Sequence, residues 1–341
     1  MKTYPLTKRN PLLDVLKGVA ITLVIWGHVM QLMGVVPHPM DNYLWKAIYM
    51  FHMPLFFFIS GYLSVGAVHR NFKDVFCQRA RTLLLPLCLW SAVLCLEKLL
   101  LGVNCIDTSS TFSIIKSIGS GFVYGYWFIW VLLYCLLLTN LLFKISKSTY
   151  ILIFTVFAIW LLPDINFPYI HYTKTMYPFF VSGYIYATHK ERLNFVKSRY
   201  FMLAAIAAFL ICLRLYNINC MMFIPSWCLD FWHEHISRLR ISQYYIFFLT
   251  AGFSGILICY NMVKLLPPAS RLYHLFQDTG RYTLIIYMLQ GLWFFAVCKA
   301  YLFHVTYQTA AFALGIAVTY AIYRIGKWMA NNKRCAWMAG K

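Results

Sequence analysis

The 341-residue sequence predicts an all-α fold, a polytopic integral membrane protein of about ten transmembrane helices with both termini in the cytosol. Three observations carry that expectation. The first is composition. Hydrophobic residues make up 61% of the chain and charged residues 12%, against about 45–50% and about 25% in soluble domains, and the mean hydropathy is +0.65. One core cannot hide that much apolar surface, which excludes a soluble enzyme, a secreted disulfide scaffold, a coiled coil and a disordered chain. The second is pattern. The apolar runs are continuous and approach the roughly 20 residues that a helix needs to cross ~30 Å of hydrocarbon. Barrel strands would instead alternate over about 10 residues, so helices are the remaining spanning solution. The third is charge. With the N-terminus inside and ten spans alternating, 21 of the 30 Lys and Arg residues fall in inner segments, which is the positive-inside asymmetry.

The stretches lie at about 12–34, 47–66, 82–102, 122–143, 150–163, 175–189, 200–216, 241–263, 280–303 and 307–328, the fifth to seventh being the shortest. The first is not a cleavable signal peptide: its apolar run is too long, it contains Asp14 and Lys17, and no small-residue cleavage site follows. Residues 1–341 read as a single membrane-embedded domain without repeat, linker or soluble appendage. The net charge of +20 then reports topology, not nucleic acid, because the basic residues are dispersed over loops and tails with no aromatic-interleaved stripe. Most of the eleven cysteines lie inside spans as small hydrophobes. Cys105, Cys220 and Cys228 fall in outer loops, where an oxidising compartment could pair two of them.

Ionisable groups inside a membrane helix are costly, which makes them functional suspects. The first span carries Asp14, Lys17 and His28. Lys17 and His28 are 11 positions apart; that is close to three turns, so they share a face and stand about 16 Å apart along the axis. Asp14 lies one turn before Lys17, and the three form one polar stripe. Lys17 is near enough to the inner interface to snorkel, whereas His28 is too deep. An imidazole with an ordinary pKa of ~6.5 can take a proton from a hydroxyl and return it. The bland alternatives are a core histidine bonded to a neighbouring helix, and an Asp14–Lys17 ion pair at the helix start.

The later spans offer weaker signals. In the second, His52 sits just inside the outer face, Pro54 suits a first turn, and Ser60 with Gly61 suits close helix packing. No His–Asp pair at a recognisable spacing makes Ser60 a nucleophile. Before the third span, Gln78-Arg79-Ala80-Arg81 reads either as a lipid anchor or as a phosphate site matched to the arginine fork. Tyr126-Trp127-Phe128-Ile129-Trp130 reads as an interfacial aromatic belt or as a wall for a ligand ring. Gln290, mid-span, reads as interhelical glue. The outer loop 217–240 collects Trp227, Asp230, Trp232, His233, Glu234 and His235, a composition suited to sugars but without metal-ligand spacing, so no metal is expected.

Leu13-Asp14-x-x-Lys17-Gly18-x-Ala20-Ile21, with Val24-x-x-Gly27-His28 following, resembles the opening motif of the membrane acyltransferase 3 family, a basic residue and a histidine separated by ten positions. The run from Phe51 to Tyr62 resembles that family's second motif, Trp127-Phe128 its Trp-Phe-Leu motif, and Pro178-Phe179-Phe180-x-Ser182-Gly183-Tyr184 a later small-residue motif. Gly280 to Gln290 resembles its ninth-span start, where the family commonly has His in place of Gln290. The resemblance covers about residues 9–290, and is closest to the branch that acetylates exopolysaccharide or lipid-linked sugar, the fucose 4-O-acetylase-like proteins included.

The resemblance implies a multi-pass enzyme of the bacterial inner membrane that moves an acyl group, most often acetyl, from cytosolic acyl-coenzyme A to a sugar hydroxyl of a surface or lipid-linked glycan. Acyl-CoA is then a co-substrate, and no bound cofactor is implied. Lys17, Arg79 and Arg81 would hold the donor, His28 would be the general base, and His52, Ser60 and Trp127 belong to the acceptor or structural motifs; Gln290 receives no acid–base role. Two other classes stay open. A transporter or flippase for a lipid-linked glycan would use the stripe as a conduction path, although no internal symmetry of the usual kind is visible. A receptor or structural subunit would need no deep histidine.

Overall fold

The computed structural model describes residues 9–32, 41–100, 110–162, 167–217, 220, 238–300 and 308–340. Every element among them is helical. In order they are α1 (Pro11–Leu32), α2 (Tyr43–Leu63), α3 (Val65–Val68), α4 (Phe72–Arg79), a π-helical turn (Ala80–Leu84) and α5 (Leu85–Leu100). Then come α6 (Thr111–Tyr124), α7 (Trp127–Ile145), α8 (Thr149–Leu161), α9 (Ile170–Thr188), a 3-10 turn (Asn194–Lys197), α10 (Arg199–Leu215) and α11 (Arg238–Leu265). The chain closes with α12 (Arg271–Arg281), α13 (Thr283–Ala300), α14 (Gln308–Asn331) and a 3-10 turn (Ala336–Ala339). Each expected apolar stretch overlaps one of these helices. Among the described residues four helical segments are long and apolar enough to cross a bilayer by themselves: Pro11–Gln31, Phe72–Leu100, Trp127–Ile145 and Ile241–Leu265.

Small polar residues set several helix starts. The side chains of Asn42, Ser110, Ser148, Ser198 and Ser270 each accept from a backbone N–H in the first turn of α2, α6, α8, α10 and α12, meeting donors that a helix leaves open. α2 therefore begins well before the expected span, and Pro54 falls inside it, not in its first turn. Gly252 of α11 makes room there, since a Cβ on it would meet both the Phe179 ring and Pro54. The fourth span likewise starts at Trp127, not at 122: residues 111–124 form α6, a separate helix that ends at Gly125. The π-helical turn follows from Pro86. A proline has no N–H and its ring crowds the carbonyl four residues back, and the backbone widens so that the Leu85 N–H reaches Ala80 O.

α1 is the central helix, flanked by α2, α11, α12, α13 and α14, while α2 also packs on α9 and α11. Two crossings bring backbones into direct contact. A Cβ on Gly18 would strike the Phe276 carbonyl, and one on Gly280 would strike the Asp14 carbonyl. The same reciprocity joins α2 to α9, where Gly61 faces the Phe180 carbonyl and Gly183 the Phe58 carbonyl. Such small-residue seams let helices associate where lipid removes the hydrophobic drive. α12 is also tied to α14: Asp278 takes Lys327 Nζ at 2.5 Å and the Tyr323 hydroxyl, with Arg281 at 3.8 Å. Burial alone would raise the Asp278 carboxyl, but the bonds from Lys327 and Tyr323 outweigh it and hold the group below its ordinary range. Cys220 is buried and carries a free thiol; Cys105 and Cys228, with Trp227 and the Asp230–His235 cluster, lie outside the described residues.

Gly280→Leu is expected to separate α12 from α1 at a cost above the about 1–3 kcal/mol typical of overpacking, because backbone must move. Detergent-solubilised protein should lose its monodisperse chromatographic peak. Gly66→Leu, with open space around it, should retain the peak; a monodisperse, equally heat-stable Gly280→Leu protein would refute the seam.

Candidate functional site

The polar stripe expected on α1 is present and begins in a charge cluster. Asp14 is 3% exposed. Its Oδ1 accepts from Lys17 Nζ at 2.8 Å and its Oδ2 from Arg9 Nε at 2.6 Å. Arg9 was invisible as a partner in the sequence because it lies ahead of the helix, where no periodicity assigns it a face. Lys17 is not consumed by the pair: an ammonium has three donors, and the side chain, 21% exposed, also lines a cavity of about 130 Å³.

That cavity is the meeting point of the motifs. α1 contributes Lys17, Ile21 and Val24 at helical spacing, α2 contributes Met53, Phe56 and Ser60, and the π-helical turn contributes Leu83. Phe128 of α7, with Thr283 and Tyr287 of α13, completes the wall. Phe128 stands edge-on to Tyr287 at 5.3 Å and to Phe57 at 5.3 Å. The wall is thus apolar, mostly aliphatic with Phe56 and Phe128 among it, and Lys17, Ser60, Thr283 and Tyr287 are its polar edges.

His28 stands one turn beyond Val24 on the same face of α1. Gln290 of α13, 3% exposed, is its polar neighbour, with Oε1 buried and without a hydrogen-bond partner among the described residues. The residue read as interhelical glue therefore lies beside the deep imidazole of the stripe. His52 lies close enough for a charge on His28 to act on it. Its Nδ1 is 2.8 Å from Ile48 O; a carbonyl only accepts, so Nδ1 carries the proton and Nε2 is left as an acceptor. Tyr49 packs edge-on to His52 at 4.9 Å and donates to Gln31 Oε1 at 2.7 Å.

The remaining expectations divide. Trp127 does not face the cavity; it stacks on Tyr172 at 5.1 Å while its neighbour Phe128 turns inward. Arg79 and Arg81 are not on the cavity wall either, but flank its π-helical side. Arg79 is half-buried, and its Nε is buried without a hydrogen-bond partner among the described residues; Arg81 is exposed. One group escaped the sequence reading. Glu97 of α5 is a carboxylate within an apolar run, with Oε2 buried and without a partner among the described residues. It acts electrostatically on Tyr126, whose hydroxyl donates to Met288 O at 3.3 Å. The signal was present, an acid inside a spanning segment, but it shares no helix face with another ionisable group. No cluster of three or more His, Cys, Asp or Glu suited to a metal occurs among the described residues.

A deep histidine, a lysine on a cavity and a neighbouring arginine turn thus lie within one helical bundle. A family model described as an acyltransferase domain, acyltransferase 3, matches residues 10–324. The chain belongs to that family. It is similar to two proteins that carry the name nodulation protein NolL. The one from Sinorhizobium fredii is 36% identical over 193 residues, 54% of this chain and 51% of that protein. The one from Mesorhizobium japonicum is 29% identical over 291 residues, 82% of this chain and 74% of that protein. The chain thus spans about half the length of the first relative and about three-quarters of the second. No solved structure matches it.

Asp14→Asn keeps the side-chain shape and removes the charge that two cations share, so it should lower folded stability by about 1–3 kcal/mol. Arg9→Gln, at a side chain 59% exposed, should cost under about 1 kcal/mol. Thermal unfolding in detergent measures both; equal losses would show that the exposed pair carries the cluster.

Proposed function

We propose that this acyltransferase moves an acyl group, acetyl above all, from acyl-coenzyme A on the cytosolic side to a hydroxyl of a surface or lipid-linked glycan. The proposal includes about ten spans, cytosolic termini, a single domain over 1–341 and a bacterial inner-membrane location. The observation that carries it is the α1 stripe. Lys17 lines the enclosed cavity, and His28, with Gln290 beside it, continues the same face.

The donor's nucleotide end is polyanionic and belongs with the basic cytosolic edge. Arg79 and Arg81 on the π-helical turn, with Lys17, meet its phosphates. The unspent Nε of Arg79 supports this role, and Arg9 keeps Asp14 neutralised while Lys17 uses its other donors. The thioester arm then lies along the apolar cavity. His28 takes the proton of the attacking hydroxyl as oxygen adds to the thioester carbonyl. The tetrahedral adduct collapses, the C–S bond breaks, and the same proton returns to the departing thiolate, leaving ester and free coenzyme A. No covalent enzyme intermediate is required. Gln290 orients the imidazole by holding it from one side, and His52 and Ser60 border the acceptor's approach.

Two variants test this. His28→Ala should lose about 10²–10⁴-fold in kcat; folded, purified protein with near-normal acyl transfer would sink the role. Lys17→Met should raise KM for acyl-CoA about tenfold or more with a smaller change in kcat, and an unmoved KM would take Lys17 out of the donor site.

A further inference from the structure

On the far side of α2 from the catalytic cavity, a larger groove of about 430 Å³ opens between α9, α10 and α11. Its floor is lined by Ala204, Ala205 and Ala208 of α10, and its opposite wall by Phe253 and Leu257 of α11. The short alanine side chains leave this volume unfilled. The α11 wall lies in a segment long and apolar enough to cross a bilayer, so this part of the groove suits a hydrocarbon chain.

One end of the groove has a different chemistry. Lys197 and the Tyr186 and Tyr260 side chains line it there, the two tyrosines close enough to interact. Tyr62 lies 6.3 Å from Tyr186, ring to ring, and receives a hydrogen bond from Lys190. Lys264 stands over the Tyr260 ring at 5.5 Å. Lys190, Lys197 and Lys264 thus gather at this end. An apolar trough ending in lysines and tyrosine hydroxyls has the polarity of one amphiphile, a hydrocarbon chain with a phosphate headgroup.

We propose that this groove is a binding site for an anionic phospholipid of the surrounding bilayer, its acyl chain along Ala204–Ala208 and its phosphate among Lys197, Lys264 and the Tyr186–Tyr260 pair. Phe58 lines the groove while Ser60, two residues on, lines the catalytic cavity, so the lipid braces the motif helix from behind. The proposal is independent of the acyl-transfer reading.

The test is native mass spectrometry of the full chain released from vesicles of phosphatidylglycerol mixed equally with phosphatidylcholine of the same chains. Wild type should retain phosphatidylglycerol selectively. Lys197→Gln and Lys264→Gln should each weaken that retention by about fivefold, the effect of one basic residue near an anionic surface. Both are exposed positions, so folding, followed by size-exclusion chromatography, should not change. Ala204→Trp with Ala208→Trp should abolish retention of either lipid; should that variant misfold, the lysine variants decide alone. Equal retention of the two lipids, or lysine variants that retain lipid as wild type does, would overturn the proposal. So would displacement by glycerol phosphate, which lacks the chain, at the concentration where phosphatidylglycerol competes.

Discussion

The reciprocal glycine contacts are the constraint on which the molecule depends. Lipid tails are as apolar as leucine, so helices in a bilayer gain little by hiding apolar surface and associate through close packing and hydrogen bonds. Here Gly18 against the Phe276 carbonyl and Gly280 against the Asp14 carbonyl bring α1 and α12 to backbone contact. The same residues frame the stripe: the Asp14 whose carbonyl meets Gly280 is the Asp14 whose carboxylate holds Lys17. Packing and chemistry share one turn of helix, which fixes where Lys17 can stand. The second seam, Gly61 and Gly183, positions α2 in the same manner, with Ser60 on the cavity beside it.

Charge is confined by local means. Asp14 is balanced by Arg9 five residues earlier and by Lys17 one turn later. The cluster is therefore complete within a short peptide, and any ligand that recruits Lys17 leaves the carboxylate still paired. On the opposite side of α12, Asp278 does equivalent work with Lys327, Tyr323 and Arg281. α12 is clamped on both flanks, by backbone contact to α1 and by an ion pair to α14.

Much of this was legible in the sequence. Hydropathy located a helix at every expected stretch, because a continuous apolar run has one solution in lipid. The period of 3.6 put Asp14, Lys17 and His28 on one face, because that relation is internal to one helix. What lay between helices was not legible. Gln290 looked like generic glue, since nothing in α13 says which helix it faces. Trp127 and Phe128 are adjacent, and only packing decides which turns inward. Pro54 sits mid-helix because the Asn42 cap starts α2 earlier than hydropathy alone suggests. The short helices α6 and α12 were missed because neither is long and apolar. The π-helical turn at Arg79–Arg81 was missed because a proline says that a helix is perturbed, not how.

The C-terminal turn bears on how the protein comes to be made. Trp90 Nε1 donates to Met338 O at 3.0 Å, across 248 residues of chain, and Gly340 takes a left-handed conformation against the Thr82 carbonyl that Pro86 has displaced. α1 finds its partners α12 to α14 far along the chain, at residues 271–331. The working centre is therefore closed by contacts of very long sequence separation, the kind that form late. Until then the first helix must wait in the bilayer with a carboxylate in it. The Arg9–Asp14–Lys17 cluster, assembled from neighbours in sequence, lets it wait neutralised.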